Sequence, residues 1–202
     1  MMYKEPCFIV DQSRWLKRRE EAYRRFLEDI EIGYADKDIV DFIKHIFAKE
    51  KIFTTSSCSG RITIVDALYP WLREESYIVF KKHEPVSVDE IIVVIQQQPL
   101  HRLWLISSGP IVHFVAVNLD TAYRILQIAR ESGFKHSGII SMSIDGIVVE
   151  IISGTWTSFL LRDGDVWFTN NIDKIVAVAN EVLIEGKKRL EKLFKLFKDA
   201  DI

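Results

Sequence analysis

The chain has 202 residues, with 27 lysines and arginines against 29 aspartates and glutamates, for a formal net charge of −2. That balance neither suggests nor excludes a nucleic-acid partner, so any RNA contact has to come from locally clustered lysines and arginines. Apolar residues at 48% suffice for a sizeable core, and the two cysteines, Cys7 and Cys58, are too few for a disulfide framework or a metal cage. Residues 1–11 lack the apolar stretch of a signal peptide, and no later run approaches the roughly 18 apolar residues of a membrane span. A cytoplasmic protein without a membrane partner and without a bound metal is expected.

Residues 11–30 read as a helix. Trp15, Ala22, Tyr23, Phe26, Leu27 and Ile30 recur at helical spacing, while Lys17, Arg18, Arg19, Arg24 and Arg25 share the other face with Glu20, Glu21 and Glu28. After a turn at 33–38, Asp36 is placed to cap a helix through Phe47, whose stripe is Ile39, Phe42, Ile43, Ile46 and Phe47. The hydroxyl-rich run from Phe53 through Cys58 and Gly60 reads as a polar hairpin turn leading into a strand at 62–65. Pro70 and Arg73-Glu74-Glu75 mark a loop before a strand at 76–82. Ser87 and Glu90 have capping-box spacing, which predicts a helix over 88–98 in spite of the β-branched run 91–95.

Strand-like runs at 102–106 and 111–117 flank Ser107-Ser108-Gly109-Pro110 and read as an antiparallel hairpin. Asn118 or Asp120 caps a helix to about 132, with Ala122, Ile125, Leu126 and Ala129 as its stripe and Gly133 at the stop position. Asp145-Gly146 and Asp163-Gly164 each supply a hairpin turn, the first between strands at 139–143 and 147–152, the second between strands at 160–162 and 166–169. A final helix over 173–198 carries Ile175, Val178, Val182, Leu183, Leu190, Phe194 and Phe197 on one stripe, with lysines 187, 188, 192, 195 and 198 along its later turns.

Hairpins and helices in this order predict an α+β fold, a mainly antiparallel sheet covered by helices. A Rossmann arrangement is not expected, because no Gly-x-Gly-x-x-Gly turn joins a strand to a helix. A capped helix, a glycine-centred turn, two strands and a helix recur over residues 36–100 and 118–198, so a single domain of two pseudo-repeats is expected.

Chemistry concentrates near residue 58. Gly60 permits backbone angles that turn N–H groups toward an anion, Arg61 offers a forked donor, and Cys58 lies between hydroxyls and that arginine. There is no Cys-x-x-Cys, Walker lysine or Gly-x-Ser-x-Gly. Asp66 reads as a strand-end residue, and His45, His101 and His136 as structural or surface groups. Trp71, Trp104, Trp156 and Trp167 are spread over four segments and are assigned to the core rather than to a base-stacking surface.

Ser56-Ser57-Cys58-Ser59-Gly60-Arg61, preceded by Phe53-Thr54-Thr55, resembles the hallmark of the tRNA wybutosine-synthesizing protein 3 family of eukaryotes and archaea. Three further blocks match in order: Ser76-Tyr77-Ile78-Val79-Phe80-Lys81-Lys82-His83, then Pro110-Ile111-Val112-His113-Phe114, then Asp120-Thr121-Ala122 with Ser132-Gly133-Phe134-Lys135-His136-Ser137-Gly138-Ile139. The resemblance implies transfer of a methyl group from S-adenosyl-L-methionine to N4 of a tricyclic wyosine-type base next to the anticodon of tRNA(Phe). That base is 7-aminocarboxypropyl-demethylwyosine or a related archaeal intermediate. It implies cofactor contacts from Ser56, Ser57, Gly60 and Arg61, and from Ser153 and Thr155 in a late serine-glycine-threonine stretch. It makes His113 the proton acceptor, with His83 as second candidate and Asp66 as a third, and gives Cys58 an orienting hydrogen bond. Two other readings stand beside it. One is a non-catalytic tRNA-binding module resting on the basic helices at both ends. The other is a Cys58-dependent hydrolase or transferase paired with His113 or His83.

Overall fold

The computed structural model describes residues 9–72 and 74–202, so Cys7, Arg73 and most of the stretch read for a signal peptide lie outside the described residues. Caps set where the helices begin. The Asp11 carboxylate accepts the Arg14 N–H at 3.0 Å and starts α1 (Gln12–Glu31). α2 (Lys37–Phe47) starts after Asp36 as expected, but the Asp36 side chain makes no capping bond. Its apolar stripe, every member buried, holds α2 in place instead.

α3 (Val88–Ile95) opens on the expected capping box, with Ser87 Oγ accepting from the Glu90 N–H and Glu90 Oε2 accepting from the Ser87 N–H at 2.8 Å. It stops short of residue 98. Pro99 disfavours helical angles at the residue before it, and the Arg162 guanidinium donates to the carbonyls of Ile95, Gln96 and Gln97, which closes the helix end there. α4 (Leu119–Glu131) takes Asn118 as its cap, and Gly133 follows at φ 92°, where only glycine is comfortable. α5 (Ile172–Asp199) buries Val176, Ala179, Leu183, Gly186, Leu190, Leu193 and Phe197 at helical spacing, whereas Val178, expected on the stripe, is 41% exposed.

Nine strands follow one another as β1 (Ile52–Cys58), β2 (Arg61–Asp66), β3 (Tyr77–Lys82), β4 (Arg102–Ser108), β5 (Ile111–Ala116), β6 (Gly138–Ser143), β7 (Gly146–Ile152), β8 (Trp156–Asp163) and β9 (Val166–Trp167) among the described residues. They form two antiparallel sheets, β1-β5-β7-β6 and β3-β2-β4-β8-β9. The fold is α+β and not Rossmann. Both Asp-Gly turns close hairpins, β6 with β7 and β8 with β9. The other two expected hairpins do not form. The hydroxyl-rich run is strand β1 rather than a turn, and Ser59-Gly60 carries the chain from β1 to β2 in the other sheet. Gly109-Pro110 likewise joins β4 to β5 across sheets.

The chain divides into two compact units, the first Met1–Cys58, Ile111–Ile152 and Lys192–Ile202, the second Ser59–Pro110 and Ser153–Glu191. In the first, Val112, Phe114 and Ala116 of β5 pair with Ile151, Val149 and Ile147 of β7 on one sheet face. Phe42 of α2 and Phe197 of α5 pack on Phe114 at centroid distances of 6.1 and 5.2 Å. On the other face Trp15 of α1 meets Phe53 edge-on at 5.2 Å, and Arg14 pairs with Asp145 in the β6–β7 turn at 2.5 Å.

In the second unit Ile62, Ile64, Leu103, Leu105 and Leu161 of the sheet pack with Ile91 and Ile95 of α3 and with Val176, Ala179 and Leu183 of α5. None of the four tryptophans assigned to the core lies in it. Trp71, Trp156 and Trp167 are 72%, 60% and 43% exposed, and half-buried Trp104 donates its indole N–H to the Ala67 carbonyl. Strand alternation is the cause. Trp104 falls on the sheet face opposite Leu103 and Leu105, and Trp156 pairs with Ser108 on that same outer face. The buried tryptophan is Trp15.

Gly109 and Gly186 let the second unit's backbones touch. Gly109 N–H donates to Thr155 O and Ser153 N–H to Pro110 O, while a Cβ on Gly186 would lie 2.9 Å from Gly109 Cα and from Pro110 Cδ. A Cβ on Gly109 would lie 2.1 Å from Thr155 Oγ1 and 2.7 Å from Ser153 Oγ. Gly109→Ala is expected to cost about 1–3 kcal/mol of stability. Adding Thr155→Ala should return part of that cost, and chemical denaturation of both single variants and the double variant reads the coupling, additive costs counting against the contact.

A second expectation concerns acid stability. The hydrogen bond from Lys82, at 2.7 Å, and then the Ser87 N–H hold the Glu90 carboxyl below its ordinary range. A carboxyl lowered on folding stabilises above its unfolded pKa, and that stabilisation is lost as pH falls through the folded value. Thermal melts of Glu90→Gln should therefore fall less steeply than those of the parent below about pH 5.

Candidate functional site

Three strands of the first unit place one polar row across their sheet. In register, Ser56 of β1 faces His113 of β5, which faces Glu150 of β7. Ser56 Oγ lies 2.7 Å from His113 Nδ1, and His113 Nε2 lies 2.8 Å from Glu150 Oε2. A carboxylate only accepts, so in the neutral ring Nε2–H donates to Glu150 and Nδ1 accepts the Ser56 hydroxyl proton. The bulge between Thr54 and Ser56 sets this register and turns Ser56 toward the imidazole. The imidazole and the carboxylate are each about a quarter exposed, at 26% and 29%, so the row is shielded yet reachable.

Cys58 lies two residues beyond Ser56, opposite Ile111, which puts it on the same face as the histidine row. It is half-buried and outside any disulfide. Ser57 pairs with Val112 and lies on the other face.

Gly60, Arg61, His83, Ser153 and Thr155 belong to the second unit. Gly60 adopts φ 96°, and its carbonyl accepts the His83 Nδ1–H at 3.0 Å, so that ring nitrogen is engaged in fixing the bend. A Cβ on Gly60 would meet the Ser108 carbonyl at 2.9 Å and Gly109 at 3.3 Å. Gly109 in turn touches Ser153 and Thr155, whose hydroxyls are 2.8 Å apart. Glycine contacts thus draw the Gly60 bend and the Ser153–Thr155 turn to one edge of this unit, with Lys187 Nζ at 3.5 Å from Ser59 Oγ. The Arg61 guanidinium, half-exposed at the start of β2, has no hydrogen-bond or ion-pair partner among the described residues. A cation without a carboxylate, two hydroxyls and backbone bare of side chains suit a small carboxylate-bearing ligand. Asp66 is structural, its buried carboxylate accepting the Leu100 and His101 N–H groups at 2.7 and 2.8 Å.

Sequence reasoning missed Glu150, Gly109 and Gly186. Glu150 is a lone carboxylate in the β-branched run Ile147-Val148-Val149-Glu150-Ile151-Ile152, a position an apolar strand does not need. Gly186 interrupts a long helix at a cost of about 0.5–1 kcal/mol relative to alanine, which signals a close approach. Gly109 carried no signal beyond turn chemistry.

Comparison with known proteins gives a consistent result. Residues 14–199 match the family described as Methyltransferase TYW3. A protein of Saccharolobus solfataricus, named tRNA(Phe) 7-((3-amino-3-carboxypropyl)-4-demethylwyosine(37)-N(4))-methyltransferase, is 42% identical over 192 residues, covering 92% of this chain and 90% of that protein. A protein of the same name from Aeropyrum pernix is 34% identical over 168 residues, covering 82% and 89%. Among solved structures, the PH1069 protein from Pyrococcus horikoshii is similar at TM-score 0.88 and 30% identity, covering 93% of this chain and 97% of its own. A profile spanning nearly all of the described residues and relatives covered over most of their length agree: the chain belongs to the Methyltransferase TYW3 family.

Proposed function

We propose that this chain is a tRNA methyltransferase that uses S-adenosyl-L-methionine to methylate N4 of 7-aminocarboxypropyl-demethylwyosine, or a related intermediate, next to the anticodon of tRNA(Phe). The observation that carries it is the 42% identity, over 192 residues, to a relative bearing that activity in its name. When bound, S-adenosyl-L-methionine supplies a methyl group on a sulfonium whose sulfur keeps the bonding pair as it leaves.

The chain's residues then have two tasks. One is to receive the proton that N4 gives up as its lone pair forms the new N–CH₃ bond. Ser56 Oγ takes that proton while passing its own to His113 Nδ1, and the Glu150 carboxylate stabilises the resulting imidazolium. Ser56 is thereby assigned to the proton path rather than to the methyl donor. Cys58, on the same face, orients by hydrogen bonding and forms no covalent bond. Both ring nitrogens of His113 are engaged by Ser56 and Glu150, which disfavours a thiol–imidazole pair at that histidine. The second task is to hold the methyl donor's carboxylate, which falls to the Arg61 guanidinium and the hydroxyls of Ser153 and Thr155. Engaged with the Gly60 carbonyl, His83 fixes the bend beside Arg61.

Purified protein incubated with S-adenosyl-L-methionine and tRNA(Phe) bearing the unmethylated base should add one methyl group per tRNA, read by nucleoside mass spectrometry. Absence of the added methyl would reject the reaction. In that assay His113→Ala is expected to lose about 10²–10⁴-fold in kcat. Glu150→Gln should lose less, with KM for tRNA unchanged, while Cys58→Ala retains activity. An inactive, folded Cys58→Ala variant would favour the thiol-dependent reading.

Binding of the methyl donor is tested separately. Arg61→Ala should weaken S-adenosyl-L-methionine by about 10–100-fold in isothermal titration, the value of one charged hydrogen bond. No heat of binding in the parent protein would favour the non-catalytic module.

A further inference from the structure

The polar row of the first unit does not end at Glu150. Opposite Glu150 stands Gly138, the first residue of β6, so Ser56, His113, Glu150 and Gly138 cross all four strands in one line. Directly paired residues point to the same face. That face carries an exposed hydroxyl at its β1 edge, an imidazole and a carboxylate in the middle, and bare backbone at its β6 edge. Half-buried Val148 and Ile152 flank Glu150 along β7 on the same face. Trp15 of α1 covers it further along, at Phe53 and Gly146.

The fold does not ask for glycine at 138. Its φ lies outside the left-handed region, and a Cβ there would meet no atom within 4 Å. The bulge of β6 lies beyond it, between Ile139 and Ser141. The position is well anchored, because Ser137 Oγ donates to the Phe134 carbonyl at 3.0 Å and accepts the Ile152 N–H at 3.3 Å, tying the start of β6 to β7. A strand glycine loses entropy on folding and packs nothing, and where neither a bend nor a bulge needs it, close approach of another group explains it. A charge stands nearby. Lys135, in the turn just before β6, is exposed and has no hydrogen-bond or ion-pair partner among the described residues.

We infer that Gly138 and Lys135 recognise the side chain of the substrate base: the aminocarboxypropyl chain lies over the bare backbone of Gly138, with its carboxylate on the Lys135 ammonium. The inference rests on the proposed function and deepens it, since it makes the side chain a selected part of the substrate. Ser56, where N4 gives up its proton, and Gly138 are three strand spacings apart, about 14 Å. A tricyclic base whose side chain leaves the ring system on the side away from N4 spans a comparable width. The hydrocarbon stem of that chain meets Val148 and Ile152, and a larger residue at 138 would occupy its place. A tRNA phosphate is the competing use of Lys135, and it would not depend on the side chain.

The probes are tRNA(Phe) bearing 7-aminocarboxypropyl-demethylwyosine and tRNA(Phe) bearing 4-demethylwyosine, which lacks the side chain. The full chain should bind the first more tightly in competition anisotropy. Gly138→Val should weaken that tRNA about 10- to 200-fold, and Lys135→Gln about 2- to 5-fold, with the second tRNA within twofold of the parent in both variants. Binding of S-adenosyl-L-methionine should be unchanged, and Gly138→Val should melt no lower than the parent. A Gly138→Val variant that melts well below the parent would show that the fold needs the glycine and would overturn the inference. So would equal affinity of the parent for the two tRNAs, or variants that weaken both tRNAs alike. Should methyl transfer fail while the side-chain preference persists and depends on Gly138, the recognition stands and the proposed reaction falls. Should methyl transfer succeed while the variants bind both tRNAs as the parent does, the reaction stands and the recognition falls.

Discussion

A separation too small for a methyl group governs the second unit. At Gly109 a Cβ would overlap the Thr155 hydroxyl, and at Gly186 it would press on Gly109 and Pro110. Three chain segments and one helix therefore approach at backbone distance, which only glycine allows. The consequence is chemical as well as steric. Backbone N–H and carbonyl groups, with the hydroxyls of Ser153 and Thr155, take the place of the apolar side chains that normally fill a helix–sheet contact. A mid-helix glycine has an entropic cost, and Gly186 offsets it by admitting that approach.

The histidine row obeys a different constraint. His113 and Glu150 stand on neighbouring strands of a sheet whose other face is filled by Phe114, Val149 and Ile151. Ladder hydrogen bonds fix the strand spacing, so the imidazole and the carboxylate are held at hydrogen-bond distance by the backbone rather than by loop conformation. A row built this way needs little reorganisation if charge develops on the ring, which is what preorganised electrostatics requires. The bulge beside Ser56 is part of the same device, since without it the hydroxyl would fall on the face that Ser57 occupies.

The legible parts of the fold were those decided locally. Ser87 with Glu90, Asn118, Gly133 and both Asp-Gly turns act within a few residues of themselves, and each does in the structure what its chemistry says. Pairing was not legible at Ser59-Gly60 and Gly109-Pro110. Turn residues state where a chain bends and not which strand it meets next, and β1 finds its partner in β5 more than fifty residues later. The tryptophans misled for a related reason. Hydrophobicity favours burial, but the face of a strand is set by register, and register follows from Leu103 and Leu105 facing α3 and α5. At the site, Glu150, the carboxylate beside His113, became visible only when β7 was laid beside β5.

That pairing bears on which group near residue 58 does chemistry. A cysteine among hydroxyls next to an arginine invites a thiolate reading, because thiolates are the better nucleophiles. Activation, however, needs a base with an open nitrogen, and His113 has its two nitrogens committed to a hydroxyl on one side and a carboxylate on the other. In a hydroxyl–imidazole–carboxylate row the hydroxyl is the group whose proton can move. Such a row serves either a nucleophilic serine or a relay that accepts a proton from a substrate. Methyl transfer from a sulfonium requires no enzyme nucleophile, since the acceptor nitrogen attacks directly. Under the reaction proposed above, the relay is the role that uses every member of the row.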